Sequence, residues 1–362
     1  MVSLMKILAK DIDEPLELSD CFCENKKSFY LYIASYAASD GDANEQGSKP
    51  LRFHKVENMI DCIFSPNMSR SFYNAILNTD ICNTIEQHHR NDKNQIMERI
   101  LSLVHDYNCP VLVHVKPAAL ATQELLKRYR FLELLQQSDD FLYMDFDGND
   151  IVLKSDESKF DIKIYELDDL TQADSKMRKL EWGYVLCASF GFRNPEIHGP
   201  FYSDVWSRVE VGPTKPVRMF IALKNDRVVG GCHLSLSCGI ACLFNLVTLK
   251  NERGQGIGKA LSLTAMKSAR ELNYRYLVLQ ASAMGAPIYK KLGFRSLPSY
   301  KTFIKLPTAI WYYKIIELVL TMLGMQRIQQ LMGIVRKISK NFLAVTMIMM
   351  IIVGILIVKI FK

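Results

Sequence analysis

The residues whose spacing carries most chemistry are Arg253-Gly254-Gln255-Gly256-Ile257-Gly258, where three glycines alternate just before a helical pattern. Removing alternate side chains leaves successive backbone N–H groups exposed at the positive end of a helix dipole, an arrangement that holds phosphate. Two familiar phosphate loops do not fit. A Walker A loop needs glycine where Arg253 stands and serine or threonine where Ala260 stands. A dinucleotide fingerprint needs a further glycine three residues past a Gly-x-Gly pair, and Lys259 and Leu261 hold those positions.

Such a loop must sit at a strand-to-helix junction. Apolar runs predict strands over residues 219–223, 228–236 and 240–249 ahead of it. Behind it, Leu261, Ala265, Ala269 and Leu272 recur at spacings of three and four and predict a helix over 259–272, followed by a buried strand at 276–280. Further upstream, residues 175–190 and 201–209 read as helices. The pattern is mixed α/β.

With these elements in place, the run Arg-x-x-Gly-x-Gly after a strand resembles that of the GNAT superfamily of acyl-CoA N-acyltransferases. The likeness spans residues 165–306 and is most specific from residue 240 on, where Leu279, Gln280, Ser282, Gly285-x-Pro287-x-Tyr289 and Leu292-Gly293-Phe294 also match. It implies a GNAT-like α+β fold built on a mixed sheet, with acetyl-CoA as cosubstrate and no metal. It further implies that backbone groups of Leu246, Val247 and Thr248 pair with the pantetheine arm where their strand splays. Arg253, Gly254, Gln255, Gly256, Ile257, Gly258 and Lys259 would hold the pyrophosphate. Tyr289 would protonate the departing thiolate, and an N–H near Val247 would face the oxyanion. Asn245 would orient a water or the acceptor. One departure is Lys250, which stands where relatives often have proline and implies only a change in loop stiffness.

Transfer to an amine also needs a base, because an amine with a pKa of about 10.4 is charged at neutral pH. The strand ahead of the loop offers no carboxylate. His233, Glu181, Glu196 and His198 are candidates by position, each with an ordinary core or surface role as the alternative. Trp182, Phe190, Phe192, Phe201 and Trp206 cluster in the early helices and either line an acceptor pocket or form core. No Cys or Ser sits in the motif, so transfer is expected to be direct, to a small-molecule amine or a protein lysine. The missing base keeps open a second reading, a catalytically inactive CoA-binding scaffold or sensor tethered to a membrane.

Residues 123–131 and 141–146 share a layout with 287–294 and 302–306, each pair a basic helix, an aromatic and a strand. This predicts two similar domains, a degenerate GNAT-like one at 1–150 and a catalytic one at 151–306. The first resembles the partner domain of tandem superfamily members, including its segment 67–74, but it lacks the glycine loop and has Leu126 opposite Tyr289.

The net charge of +7 is confined to one end. Residues 301–362 hold nine Lys and Arg against Glu317 alone, whereas residues 1–300 hold 36 basic and 37 acidic side chains. That distribution argues against nucleic acid and for an anionic membrane surface. Residues 342–358 are 17 uncharged, almost wholly apolar residues flanked by lysines, about 25 Å of helix against a hydrocarbon core of about 30 Å. They predict a transmembrane tail anchor over 341–362, single-pass with the bulk facing the cytosol, preceded by an amphipathic juxtamembrane segment at 307–340. Nine scattered cysteines without a C-x-x-C pair agree with a reducing compartment.

Overall fold

The computed structural model describes residues 15–37, 51–65, 73–88, 92–134, 140–147, 162–190, 195–298 and 300–307. The expected juxtamembrane segment and tail anchor lie outside the described residues, as does most of 67–74. Among the described residues no helix is long and apolar enough to cross a membrane.

The first part of the chain runs α1 (Pro15–Ala37), β1 (Arg52–Val56), β2 (Ile60–Phe64), β3 (Ala75–Ile76), α2 (Ile81–Gln87), α3 (Lys93–Tyr107), β4 (Val111–Val115), α4 (Leu120–Arg128), β5 (Leu132–Glu133) and β6 (Asp140–Asp145). The second runs β7 (Lys163–Leu167), α5 (Ser175–Ser189), α6 (Pro195–Arg208), β8 (Val217–Lys224), β9 (Arg227–Ser237), β10 (Ile240–Thr248), α7 (Ile257–Glu271), β11 (Tyr276–Ala281), α8 (Ala286–Lys291), β12 (Arg295–Ser296) and β13 (Lys301–Lys305). The strands form two mixed sheets, ordered β1-β2-β3-β4-β13-β5 and β12-β6-β11-β10-β9-β8-β7.

The two sheets exchange strands. β6 inserts between β11 and β12, while β13 inserts between β4 and β5. The same place in each sheet is thus filled from the other half of the chain. The division expected at residue 150 is therefore one of chain order, and each range supplies a strand to the other's sheet. Burial accounts for the composition of the middle of β6: Phe141 packs against α1-side residues and Leu142 and Met144 against α7, so both faces are covered there, and aspartates stand only at the strand's ends.

In the first sheet, Ile96, Met97, Ile100 and Val104 of α3 pack on Val111, Val113 and Val115 of β4. In the second, α7 covers one face, and α1, α5 and α6 cover the other. α1 is tied down by Asn25, fully buried, whose amide donates to the carbonyls of Ser235, Ser237 and Ile240 at 2.9–3.3 Å. α6 starts at Pro195, earlier than the expected residue 201. Pro200 lies inside the helix, at its sixth residue, where it removes one intrahelical N–H donor. Gly199 is needed for packing, since a Cβ there would sit 2.4 Å from the Tyr184 ring.

Candidate functional site

The site begins with a discontinuity in β10. Its antiparallel register with β9 runs to Phe244↔His233 and resumes at Val247↔Gly231, which leaves one extra residue on β10. Asn245 absorbs it in the left-handed conformation, φ 53°. On the other side β10 pairs with the parallel β11 only over residues 241–243. Beyond Leu243 the two strands part, and the expected splay is present.

Leu246 and Thr248 lie on one lip of this opening, beside the glycine loop. A Cβ on Gly258 would sit 3.6 Å from the Leu246 side chain and 3.9 Å from Thr248 Oγ1. The chain leaves β10 through a single 3-10 turn, Lys250–Glu252, and passes Arg253 in extended conformation. Gly254 and Gly256 then take φ of 80° and 82°, which only glycine adopts readily. Gly256 caps α7 without a side-chain cap bond among the described residues.

The neighbouring side chains brace the loop. Arg253 donates to the carbonyls of Thr248 (3.1 Å) and Ser189 (3.0 Å), linking the loop to the end of α5. The Gln255 amide donates to Glu252 at 2.9 Å and its carbonyl accepts from Lys224 at 2.9 Å. Lys224 and Glu252 pair at 2.7 Å. The loop's backbone N–H groups, backed by the α7 dipole, remain the groups suited to an anion.

Tyr289 sits one turn into α8, against α7. Its phenol is 7% exposed, and burial raises its pKa well above the usual tyrosine value, against a smaller opposing effect of its hydrogen bond with Ser262. A phenol so placed stays protonated at any physiological pH and can serve as an acid. The matching position in the first half is Leu126, fully buried in the core.

A cavity of about 530 Å³ joins these parts. Leu246, Gly258, Ser262 and Tyr289 line it from the α7 side; Phe22, Lys26 and Tyr30 of α1 and Leu112 and His114 of β4 line it from the other. Asn245 and Phe190 also face it. The first half of the chain therefore walls the site. Lys26 Nζ donates to Gln280 Oε1 at 3.2 Å, and His114 Nδ1 lies 3.1 Å from Thr302 Oγ1. Burial, with the Lys26 charge as a lesser cause, pushes the His114 pKa down and keeps the ring neutral. Sequence reasoning missed Phe22, Lys26, Tyr30 and His114. The one available signal was the pair Lys26-Lys27 inside an otherwise apolar helical face.

Of the expected bases, none lines the cavity. His233 is fully buried, stacked on Trp206 at 3.8 Å with Trp182 at its edge, and burial lowers its pKa to about 3. Its Nδ1 lies 3.4 Å from the Asn245 amide, so Asn245 connects this ring to the cavity margin. Glu181 accepts from the Val228 N–H and pairs with Arg178, Glu196 is exposed on α6, and His198 is half-buried there. Among the aromatics considered for a pocket, Trp182 and Trp206 are core, Phe201 packs against that core, and Phe192 lies outside the described residues. The tight fit explains why: a Cβ on Gly231 would lie 2.9 Å from the Trp182 ring.

Comparison with known proteins finds a family likeness within the second half. Residues 215–296 match the acetyltransferase (GNAT) domain family. No curated protein matches the chain. Similar solved structures include a tandem GNAT protein from the clavulanic acid biosynthesis pathway, at 11% identity over 68% of this chain and 78% of that one, TM-score 0.45. A GCN5-related N-acetyltransferase from Kribbella flavida aligns at 10% identity over 76% and 93%, TM-score 0.45. A predicted acetyltransferase from Clostridium acetobutylicum, solved with acetyl-CoA, aligns at 17% identity over 37% and 90%, TM-score 0.26.

Proposed function

We propose that this protein transfers an acetyl group from acetyl-CoA directly to a primary amine, and that it does so at a membrane surface. One observation carries the reading. The glycine-capped N-terminus of α7, the parting of β10 from β11, and the protonated Tyr289 all border one cavity. Each answers one need of the reaction.

Loop residues 253–259 would take the pyrophosphate on backbone N–H groups, and Leu246, Val247 and Thr248 would lie along the pantetheine arm. Acetyl-CoA supplies a thioester carbonyl activated for attack. As the C–N bond forms and the C–S bond breaks, the thiolate would take the Tyr289 proton, an N–H near Val247 would face the carbonyl oxygen, and the amine's N–H proton would leave to solvent water, from which Tyr289 is reprotonated. Asn245, at the bulge, would orient a water or the acceptor. The test is acetyl transfer by the full-length chain to a panel of amines, with and without Tyr289→Phe. Transfer that persists at the wild-type rate in Tyr289→Phe would remove the tyrosine from the mechanism.

A second reading, CoA binding without turnover, is favoured by one fact: among the described residues no carboxylate lines the cavity. Acetyl-CoA binding with no transfer to any amine would select it. The membrane part rests on the apolar run 342–358 and the basic residues around it. A chain ending at Leu306 is expected to leave the membrane fraction, and its retention there would place the anchor elsewhere.

A further inference from the structure

The proton released when an amine is acylated needs a first acceptor, and naming that acceptor rests on the acyl-transfer reading. His114 of β4 and Thr302 of β13 stand opposite each other in the first sheet. Both line the cavity that Tyr289 borders from its other side. His114 Nδ1 lies 3.1 Å from Thr302 Oγ1, so the ring is held by a residue of the exchanged strand. Its Nε2 has no hydrogen-bond partner among the described residues.

An imidazole anchored through one nitrogen and open at the other has the layout of a general base. An amine N–H that donates to Nε2 selects the tautomer with the ring proton on Nδ1, and the Thr302 hydroxyl then accepts from that N–H. Burial first, and the Lys26 charge second, keep the ring neutral and so able to accept a proton. The same two causes act against an ammonium bound beside the ring, so donor and acceptor shift in one direction and the site does not set them apart. We propose that His114 is the general base of this site: its Nε2 takes the N–H proton of the attacking amine as the C–N bond forms, and hands that proton to solvent water. An acceptor that arrives as an ammonium gives up one proton more by the same route. The acid, Tyr289, comes from the second half and the base from the first, and Thr302 positions the base.

The experiment measures acetyl transfer by the full-length chain to ethylamine, ethanolamine, aminoacetonitrile and 2,2,2-trifluoroethylamine, small primary amines of falling basicity. His114→Gln, similar in size but no base, should lower kcat for ethylamine by about 100-fold or more, with the KM for acetyl-CoA within about twofold. The loss should shrink along the series and be about tenfold smaller for trifluoroethylamine, which is already neutral at neutral pH and needs less help to lose a proton. Thr302→Val should show a smaller loss with the same trend, restored by Thr302→Ser. A merely structural role would lower transfer to all four amines alike. Wild-type rates in His114→Gln or in Thr302→Val, or a loss equal across the series, overturn the inference. If His114→Gln does not fold, as a urea melt would show, Thr302→Val decides by the same comparison. If the wild type acetylates none of the amines, the acyl-transfer reading fails and the inference with it; if it acetylates them and the variants match it, the inference alone fails.

Discussion

The two halves of this molecule run the same structural sequence to different ends. In each, a parallel strand pair, β3 with β4 and β10 with β11, is bridged by a 15-residue helix, α3 or α7. In each, the following helix closes with the same bond, Phe131 N–H to Leu126 O at 2.9 Å and Phe294 N–H to Tyr289 O at 3.0 Å. Arg130 and Gly293 take matching positive φ of 59° and 94°. The difference lies at the helix N-terminus. In the first half the chain leaves β3 into α2, which is capped by Asp80, whose carboxylate accepts from Asn83 N–H at 3.2 Å and Thr122 Oγ1 at 2.8 Å. In the second, Gly256 caps α7 with no side chain at all. The bridging helices themselves differ as well: α3 follows Asp92, whereas α7 follows Gly256, so only the second opens on a residue without a side chain. The lesson is that two repeats can keep the same packing while only one keeps a glycine-rich helix start, the other supplying a wall of the cavity.

Several substitutions can break or sharpen this contrast. Tyr289→Phe should lower kcat by about 10³-fold with acetyl-CoA affinity preserved, whereas Leu126→Phe at the mirror position should leave kcat within about twofold; steady-state kinetics on both would show whether the chemistry belongs to one half. Gly256→Asp puts a carboxylate and a strained left-handed residue into the loop, and calorimetry should find CoA affinity down by about 100-fold, against no change in Asp80→Asn. Unaltered binding in Gly256→Asp would mean that the phosphates sit elsewhere. Gly231→Ala drives a methyl to 2.6 Å from Phe220 O and onto Trp182, and should cost about 1–3 kcal/mol in a urea melt. An unchanged midpoint there would show that the sheet and α5 can part without loss.

The smallest effect tests a feature the halves share, a histidine kept neutral by burial, His114 in one and His233 in the other. The unfolded His233 takes a proton near pH 6.5, but the folded one only near about 3. Between those values the unfolded state binds more protons, so stability is fully present above pH 6.5 and is lost as the pH falls toward 3. The slope from this residue is at most about 1.4 kcal/mol per pH unit. His233→Gln should flatten the urea midpoint against pH between 7 and 5, and an identical slope in the variant would place the acid sensitivity elsewhere.

Legibility followed the range of the interactions. The helix after the loop, the strands around it and the repeat of helix, aromatic and strand were all readable, because each depends on neighbours within a few residues. Leu126 opposite Tyr289 was readable for the same reason, as the shared hydrogen bonds attest. The aromatic residues of α5 and α6 were ambiguous, because a tryptophan in a pocket and one in a core have the same spacing. What separated them was Gly231, a residue on another element that lets Trp182 approach the sheet.

By itself, then, the sequence determined the local chemistry: three glycines that permit positive φ and open N–H groups at a helix start, and a tyrosine one turn into a short helix. Only the tertiary structure decided what faces them. The exchange of β6 and β13 depends on pairings such as Val278↔Tyr143 and Phe303↔Val113, more than a hundred residues apart in the chain. The placement of Lys26 and His114 opposite Tyr289 depends on that same closure. No local pattern encodes it, since backbone pairing between distant strands is specified by the sum of buried contacts over two sheets rather than by the identity of any one segment.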